Sequence, residues 1–203
     1  MRLLLDTDAF CKLGAGGQLQ SVASIVGVRW VECLRLPALP QMLRRGTLLR
    51  KLGASLCSQL LPLAQGLGAV SAAPAAYLDQ LSGLTAVDPG EAQLLAHVAA
   101  SGDLLLTGDK RALRVVKDVP GLVGSLTGKI VLPEAILLAL CIQHGDDQIR
   151  TAMAPALALD TMLRTCFSAG NPTPRDGLAS YFRSAVHDLG PLVLWSPSAA
   201  GAS

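Results

Sequence analysis

Two apolar tripeptides, Leu3-Leu4-Leu5 and Leu104-Leu105-Leu106, are each followed within three residues by aspartate, Asp6 in the first case and Asp109 in the second. Runs of this kind, too short for helices and apolar at every position, suit strands buried on both faces. Strands buried on both faces belong to parallel sheets whose connecting helices cover the two sides. Helical signals fill the intervals. Asp88-Pro89-Gly90-Glu91 combines an N-cap, a proline at the first helical position and an acid at the third. The chain is therefore expected to be an α/β protein with a central parallel sheet and helices on both faces.

The remaining elements follow from punctuation. A helix is expected after Asp8, read as its N-cap, with Gly14–Gly17 ending it. Gln18–Val26 reads as a second helix and Val28–Leu34 as a second strand, with Glu32 inside it or at its end. Leu36–Gly66 is helical in composition, and Pro74–Leu81 forms a further short helix. Leu122-Val123 reads as a weak third parallel strand, followed by helices over Pro133–Gln143, Asp147–Phe167 (broken near Pro155) and Pro174–Leu189. The expected organisation is an α/β domain over residues 1–130, a C-terminal helical extension packed on it over 131–195, and a disordered tail over 196–203 rich in Ser, Ala and Gly.

Composition bounds the function. The 203 residues are 51% hydrophobic and 3% aromatic, so the core is built from Leu, Ala and Val. Seventeen basic and fifteen acidic residues leave a net charge of +2, so any nucleic-acid surface has to be a local patch. Five scattered cysteines with no C-x-x-C pair and three separated histidines argue for a reducing, cytoplasmic setting and against zinc. Leu52–Leu78 carries no charge, but two prolines, three glycines and several polar residues interrupt it, so no membrane span is expected.

In an open parallel sheet, ligands sit beyond the carboxyl ends of the strands. Asp6 and Asp109 are expected there, joined by Glu91 from the first turn of the helix that leads into the second strand. Three carboxylates ~5 Å apart repel by roughly 3 kcal/mol per pair at an effective dielectric of 20. A hard divalent cation bound through oxygens, Mg²⁺ or Mn²⁺, relieves that repulsion. Thr107 is expected to support a carboxylate or a ligand. Each residue also has a plainer role: Glu91 completes a capping box with Asp88, Asp109 caps the helix after it, and Asp6 and Asp8 cap the first helix.

The segments LLLDTDAF, DPGEAQLLAHVAA and DLLLTGDKRAL together resemble the PIN-domain nucleases, over roughly Met1 to Leu126. That family's pattern is an aspartate after the first strand, a G-E at a helix start and a T-G-D after a later strand. The resemblance implies a PIN-like fold and a Mg²⁺- or Mn²⁺-dependent endoribonuclease, often the toxin of a toxin–antitoxin pair. Carried over by motif, Asp6, Glu91 and Asp109 are catalytic metal ligands, supported by Thr107 and Asp8. RNA is the implied substrate, and an antitoxin or other protein is an implied partner. Many members carry another acid on a helix after the second strand; here the region offers only Glu32, and Leu36–Leu43 has none.

Basic residues near this site are expected to receive the phosphate backbone: Lys110, Arg111 and Arg114 on the helix after Asp109. Arg44, Arg45, Arg50 and Lys51 form a second group, read first as a solvated face. The Leu-rich helices after Leu132 offer a homodimer surface. Two other readings stand beside the nuclease. One is a non-catalytic PIN-like module that binds protein or RNA. The other is a haloacid-dehalogenase-type phosphatase with Asp6 as nucleophile and Asp8 as acid/base; it lacks a second acid after Gly108-Asp109 and leaves Glu91 without a role.

Overall fold

The computed structural model describes residues 1–171 and 173–196; the tail expected over 196–203 lies, but for Ser196, outside the described residues. The chain is α/β with one five-stranded, all-parallel sheet in the order β3-β2-β1-β4-β5. The strands are β1 (Leu3–Leu5), β2 (Cys33–Arg35), β3 (Gly68–Ala69), β4 (Leu104–Leu106) and β5 (Ile130–Val131). Between β1 and β2 run α1 (Thr7–Ala15) and α2 (Leu19–Ile25); between β2 and β3 come α3 (Leu39–Arg44), α4 (Thr47–Leu52) and α5 (Ala54–Gly66). Two helices, α6 (Ala75–Leu81) and α7 (Pro89–Ser101), lead to β4, and α8 (Lys110–Val116) and α9 (Pro120–Leu126) lead to β5. The chain then continues through α10 (Pro133–His144), α11 (Asp146–Met153), α12 (Thr161–Phe167) and α13 (Pro174–Leu189).

The three-residue strands β1 and β4 work because every residue in them is buried. Leu3 and Leu5 join one core, on the side of α1, α2, α5 and α10, while Leu4 joins the other, with α7, α8 and α9. Strand β4 divides the same way, Leu104 and Leu106 against Leu105, as a period of two requires. Register is matched across the centre, with Leu3–Leu5 beside Cys33–Arg35 and Leu104–Leu106. At the amino end of the sheet Arg2 donates to the buried Asp103 from both its main chain and its guanidinium, each at 2.9 Å. Residues after 130 belong to the same cores: Leu137, Leu140, Met153 and Phe167 enter the first, and Ala185 and Leu189 of α13 the second.

Three local expectations are corrected. Leu122-Val123 lies inside α9, whose Pro120 sits at the first helical turn; the strand is β5, eight residues later, paired with Leu105–Leu106. The second strand is shorter than Val28–Leu34 and begins after a 3₁₀ turn at Trp30–Glu32, where Arg29 and Glu32 satisfy each other reciprocally. Glu32 thus sits at the amino end of β2, away from the site. Strand β1 stops at Leu5, so Asp6, not Asp8, holds the N-cap position of α1, and Asp8 falls in its first turn. The uncharged stretch forms α5, β3 and the start of α6, and among the described residues no helix is long and apolar enough to cross a membrane.

Candidate functional site

Beyond the carboxyl ends of β1, β2 and β4 lies a cavity of about 810 Å³. Asp6, Asp8, Asp88, Glu91 and Asp109 all line it, as do Lys12, Lys51, Lys110 and Arg111. Most of its apolar wall comes from the segment after β2, Leu36, Ala38, Met42 and Leu48, with Leu159 added from the C-terminal part of the chain.

Asp6 occupies the turn between β1 and α1, anchored by its own N–H to the Leu106 carbonyl at 3.0 Å. Its side chain caps nothing. Instead Thr107 Oγ1 lies 3.5 Å from Asp6 Oδ2 and accepts the Asp109 N–H at 3.1 Å, so this hydroxyl links the ends of β1 and β4. Asp6 is 8% exposed. Burial, and then the charge of Asp8 with smaller contributions from Asp88 and Asp109, push its carboxyl up to about 6 against the pull of the Thr7 N–H.

Glu91 is placed by a capping box. Its N–H donates to Asp88 Oδ1 and its Oε2 accepts the Asp88 N–H, both at 2.9 Å. Gly90 permits the close approach this needs, since a Cβ there would stand 2.9 Å from Leu36 Cδ1 and 3.2 Å from Asp88 Oδ1. Burial, then a hydrogen bond to the Asp109 carboxylate and its charge, push Glu91 up to about 7. Asp109 is held below its usual range despite burial, because Arg111 and the N–H groups of Arg111 and Ala112 donate to it and Glu91 does so as well. The two neighbouring carboxylates are thus driven apart in proton affinity, Glu91 upward and Asp109 downward.

The expected trio therefore lines one cavity, and both plainer roles are also real: Glu91 and Asp109 each cap a helix. Asp8 reaches the cavity too, but its carboxylate is taken by Lys12 and lies 3.6 Å from Lys51 Nζ. Lys12 also pairs with Asp160, the cap of α12. The basic residues expected to meet phosphate are largely occupied. Lys110 pairs at 2.6 Å with the buried Glu134 and stands 5.7 Å from the Tyr181 ring centre. Arg111 pairs with Asp109 at 3.1 Å. Arg114 does not reach the cavity; it pairs at 2.5 Å with Asp188 of α13.

The chain matches no family model, no curated protein and no solved structure. Its chemistry has to be read from the cavity itself.

The acids fit a hard divalent cation in kind, being oxygen donors whose burial, and then mutual repulsion, already show in the raised pKa values of Asp6 and Glu91. In arrangement they are not gathered in advance: among the described residues no three Asp, Glu, His or Cys side chains form a ready metal cage. Glu91 and Asp109 stand close enough to shift each other's proton affinity, while Asp6 rests against Thr107. A cation bound here would engage Asp6, Glu91 and Asp109, with Asp88 adjacent.

Lys12 and Glu134 went unnoticed in the sequence. Lys12 was legible, lying four residues after Asp8 on one helix face. Glu134, in the first turn of α10, carried no signal of its burial.

Proposed function

We propose that this protein is a PIN-like, metal-dependent ribonuclease that cleaves RNA phosphodiester bonds, with Asp6, Glu91 and Asp109 holding Mg²⁺ or Mn²⁺. The observation that carries the reading is the shared cavity at the carboxyl ends of β1 and β4, where Asp6 and Glu91 are both driven toward the protonated state. Structural acids are commonly paired with a basic side chain; among the described residues neither of these two is. A bound divalent ion would lower the pKa of its water and take up the charge developing on the scissile phosphate. Thr107 positions Asp6, and the Asp88 cap fixes Glu91. Leu36, Met42 and Leu48 offer an apolar bed for a base or ribose. In a toxin-type role, an antitoxin would act by covering this cavity.

The phosphatase reading loses support from Asp8, whose carboxylate is engaged by Lys12 and Lys51 and is not free to serve as acid/base. A non-catalytic PIN-like module that binds RNA or protein has one observation in its favour: the segment facing the acids, Leu36 to Leu43, supplies no further acid.

Both are separated by incubating the wild type, Asp6→Asn and Asp109→Asn with end-labelled single-stranded RNA of mixed sequence, with Mn²⁺ and with EDTA. The nuclease reading expects Mn²⁺-dependent fragments from the wild type, reduced at least ~100-fold in either variant, of the order that loss of one preorganised electrostatic group costs. No cleavage by the wild type, or equal cleavage by the variants, sinks it.

A further inference from the structure

The net charge of +2 hides a segregation. Between Cys33 and Leu78 the sequence has five basic residues, Arg35, Arg44, Arg45, Arg50 and Lys51, and no acid. The rest of the chain holds the other twelve basic residues against all fifteen acids. The acid-free segment includes the wall of the cavity opposite in chemistry to the carboxylates. Arg35 is spoken for: its guanidinium donates to the carbonyls of Ala64, Leu36 and Pro37. Arg44, Arg45 and Arg50 are exposed, on α3, the turn after it and α4, and the same short helix pair sends Met42, Leu48 and Lys51 into the cavity. Among the described residues Arg50 reaches only the Thr47 hydroxyl, at 3.3 Å, and Arg45 lies against the Gln41 amide. Among the described residues none of the three meets a carboxylate.

We infer that the α3–α4 wall, through Arg44, Arg45 and Arg50, is the surface that holds the phosphate backbone of RNA as it enters the cavity, in place of α8. The inference rests on the RNA part of the proposed function. A polyanion approaching carboxylates needs unspent positive charge beside them. On α8 that charge is already spent on Glu134, Asp109 and Asp188. On α3 and α4 it is free, and guanidinium groups match phosphate geometry well. The apolar side chains of the same helices lie where a base leaving the arginine track would rest, although without aromatic rings the contact is mainly electrostatic.

The test is fluorescence anisotropy of a labelled 20-nucleotide single-stranded RNA in EDTA, which separates binding from cleavage, titrated over a range of salt. Four proteins are compared: wild type, the triple Arg44→Ala, Arg45→Ala, Arg50→Ala variant, the same three positions changed to Lys, and the double Arg111→Ala, Arg114→Ala variant. Single-stranded contacts each contribute ~0.7 to the slope of log K against log salt, so the alanine triple should lose about 2 and bind at least about tenfold more weakly at low salt. The lysine triple should keep the slope, showing that charge rather than folding is at issue, and the α8 double should lose less than about 0.7. A wild type that does not bind, an alanine triple that binds like wild type (as it would if the wall received an acidic protein), or an α8 double that loses as much overturns the inference. The nuclease reading fails separately: binding through the wall without Mn²⁺-dependent cleavage sinks that reading alone, while cleavage with unchanged KM in the alanine triple sinks this one alone.

Discussion

Replacing Asp6 with asparagine should make the metal-free protein more stable, and the size of the gain can be worked out from its surroundings. In the fold, burial and the charges of Asp8, Asp88 and Asp109 raise the Asp6 carboxyl from 3.8 to about 6. The folded state therefore holds this proton more tightly than the unfolded chain does. Its stabilising effect is fully present below pH 3.8 and is lost as the pH rises through 6. A shift of about 2 units at ~1.36 kcal/mol each means that ionised Asp6 costs about 3 kcal/mol above pH 7. Asparagine keeps an oxygen for the Thr107 hydroxyl and removes the charge, but its amide still has to be buried. The expected gain is roughly 1–3 kcal/mol, or about 3–10 °C in Tm for a chain of this size. Thermal melts of both proteins in EDTA should show this gain at pH 7.5, shrinking progressively at pH 5.5 and 4.5. Saturating Mn²⁺ should stabilise the wild type and narrow the difference. An Asp6→Asn protein less stable than wild type at pH 7.5, or a gain independent of pH, would refute the argument that this acid is strained by design of the site.

Three further outcomes are expected. Mn²⁺ affinity measured by calorimetry should fall as pH drops from 7.5 to 5.5, because the ion must displace protons from Glu91 (about 7) and Asp6 (about 6), by up to ~10-fold per unit for each proton released; a flat profile would show that these groups are not ligands. Asp88→Ala should cost about 1–2 kcal/mol in urea denaturation, since it removes the side-chain cap of α7, and a neutral result would mean that the capping box does not form. The five buried thiols should resist a disulfide reagent at pH 8 until denaturant is added, because burial pushes Cys11, Cys33 and Cys141 up to about 12 and Cys166 to about 11, with Cys57 raised as well; rapid reaction in the native protein would contradict the packing around them.

The centre of the sheet was legible because two local signals agree there. Leu3–Leu5 and Leu104–Leu106 are apolar at each position and end at residues that start helices, so strand and boundary point to the same place. Away from the centre the signals thin out. Gly68-Ala69 has no strand character of its own and pairs only because Leu34 and Arg35 present an open edge. Ile130-Val131 and Leu122-Val123 are alike as dipeptides, and only Pro120, setting a helix start, distinguishes them. The acids followed the same rule. Asp6, Glu91 and Asp109 could be placed by the ends of legible elements. The state of the basic residues could not, because Lys110 and Arg114 are neutralised by Glu134 and Asp188, 24 and 74 positions away. Sequence-local charge counting favoured α8 for that reason, and the free arginines lay in the group read as a solvated face.

Parallel sheets keep two raw margins, and this one finishes them differently. At one margin β3 is a mere two residues, too brief a template for a stranger's backbone. At the other, the chain returns after α13 so that Leu194 bridges Ile130 and the Trp195 N–H donates to the Ile130 carbonyl at 2.8 Å. Those few residues work as a hem. They are not among the residues lining the cavity, so damage to them should appear as clumping and poor yield, with the acids of the cavity undisturbed in what remains folded. For this fold, the margin that guards against aggregation and the cavity that gathers the acids are stitched from different residues.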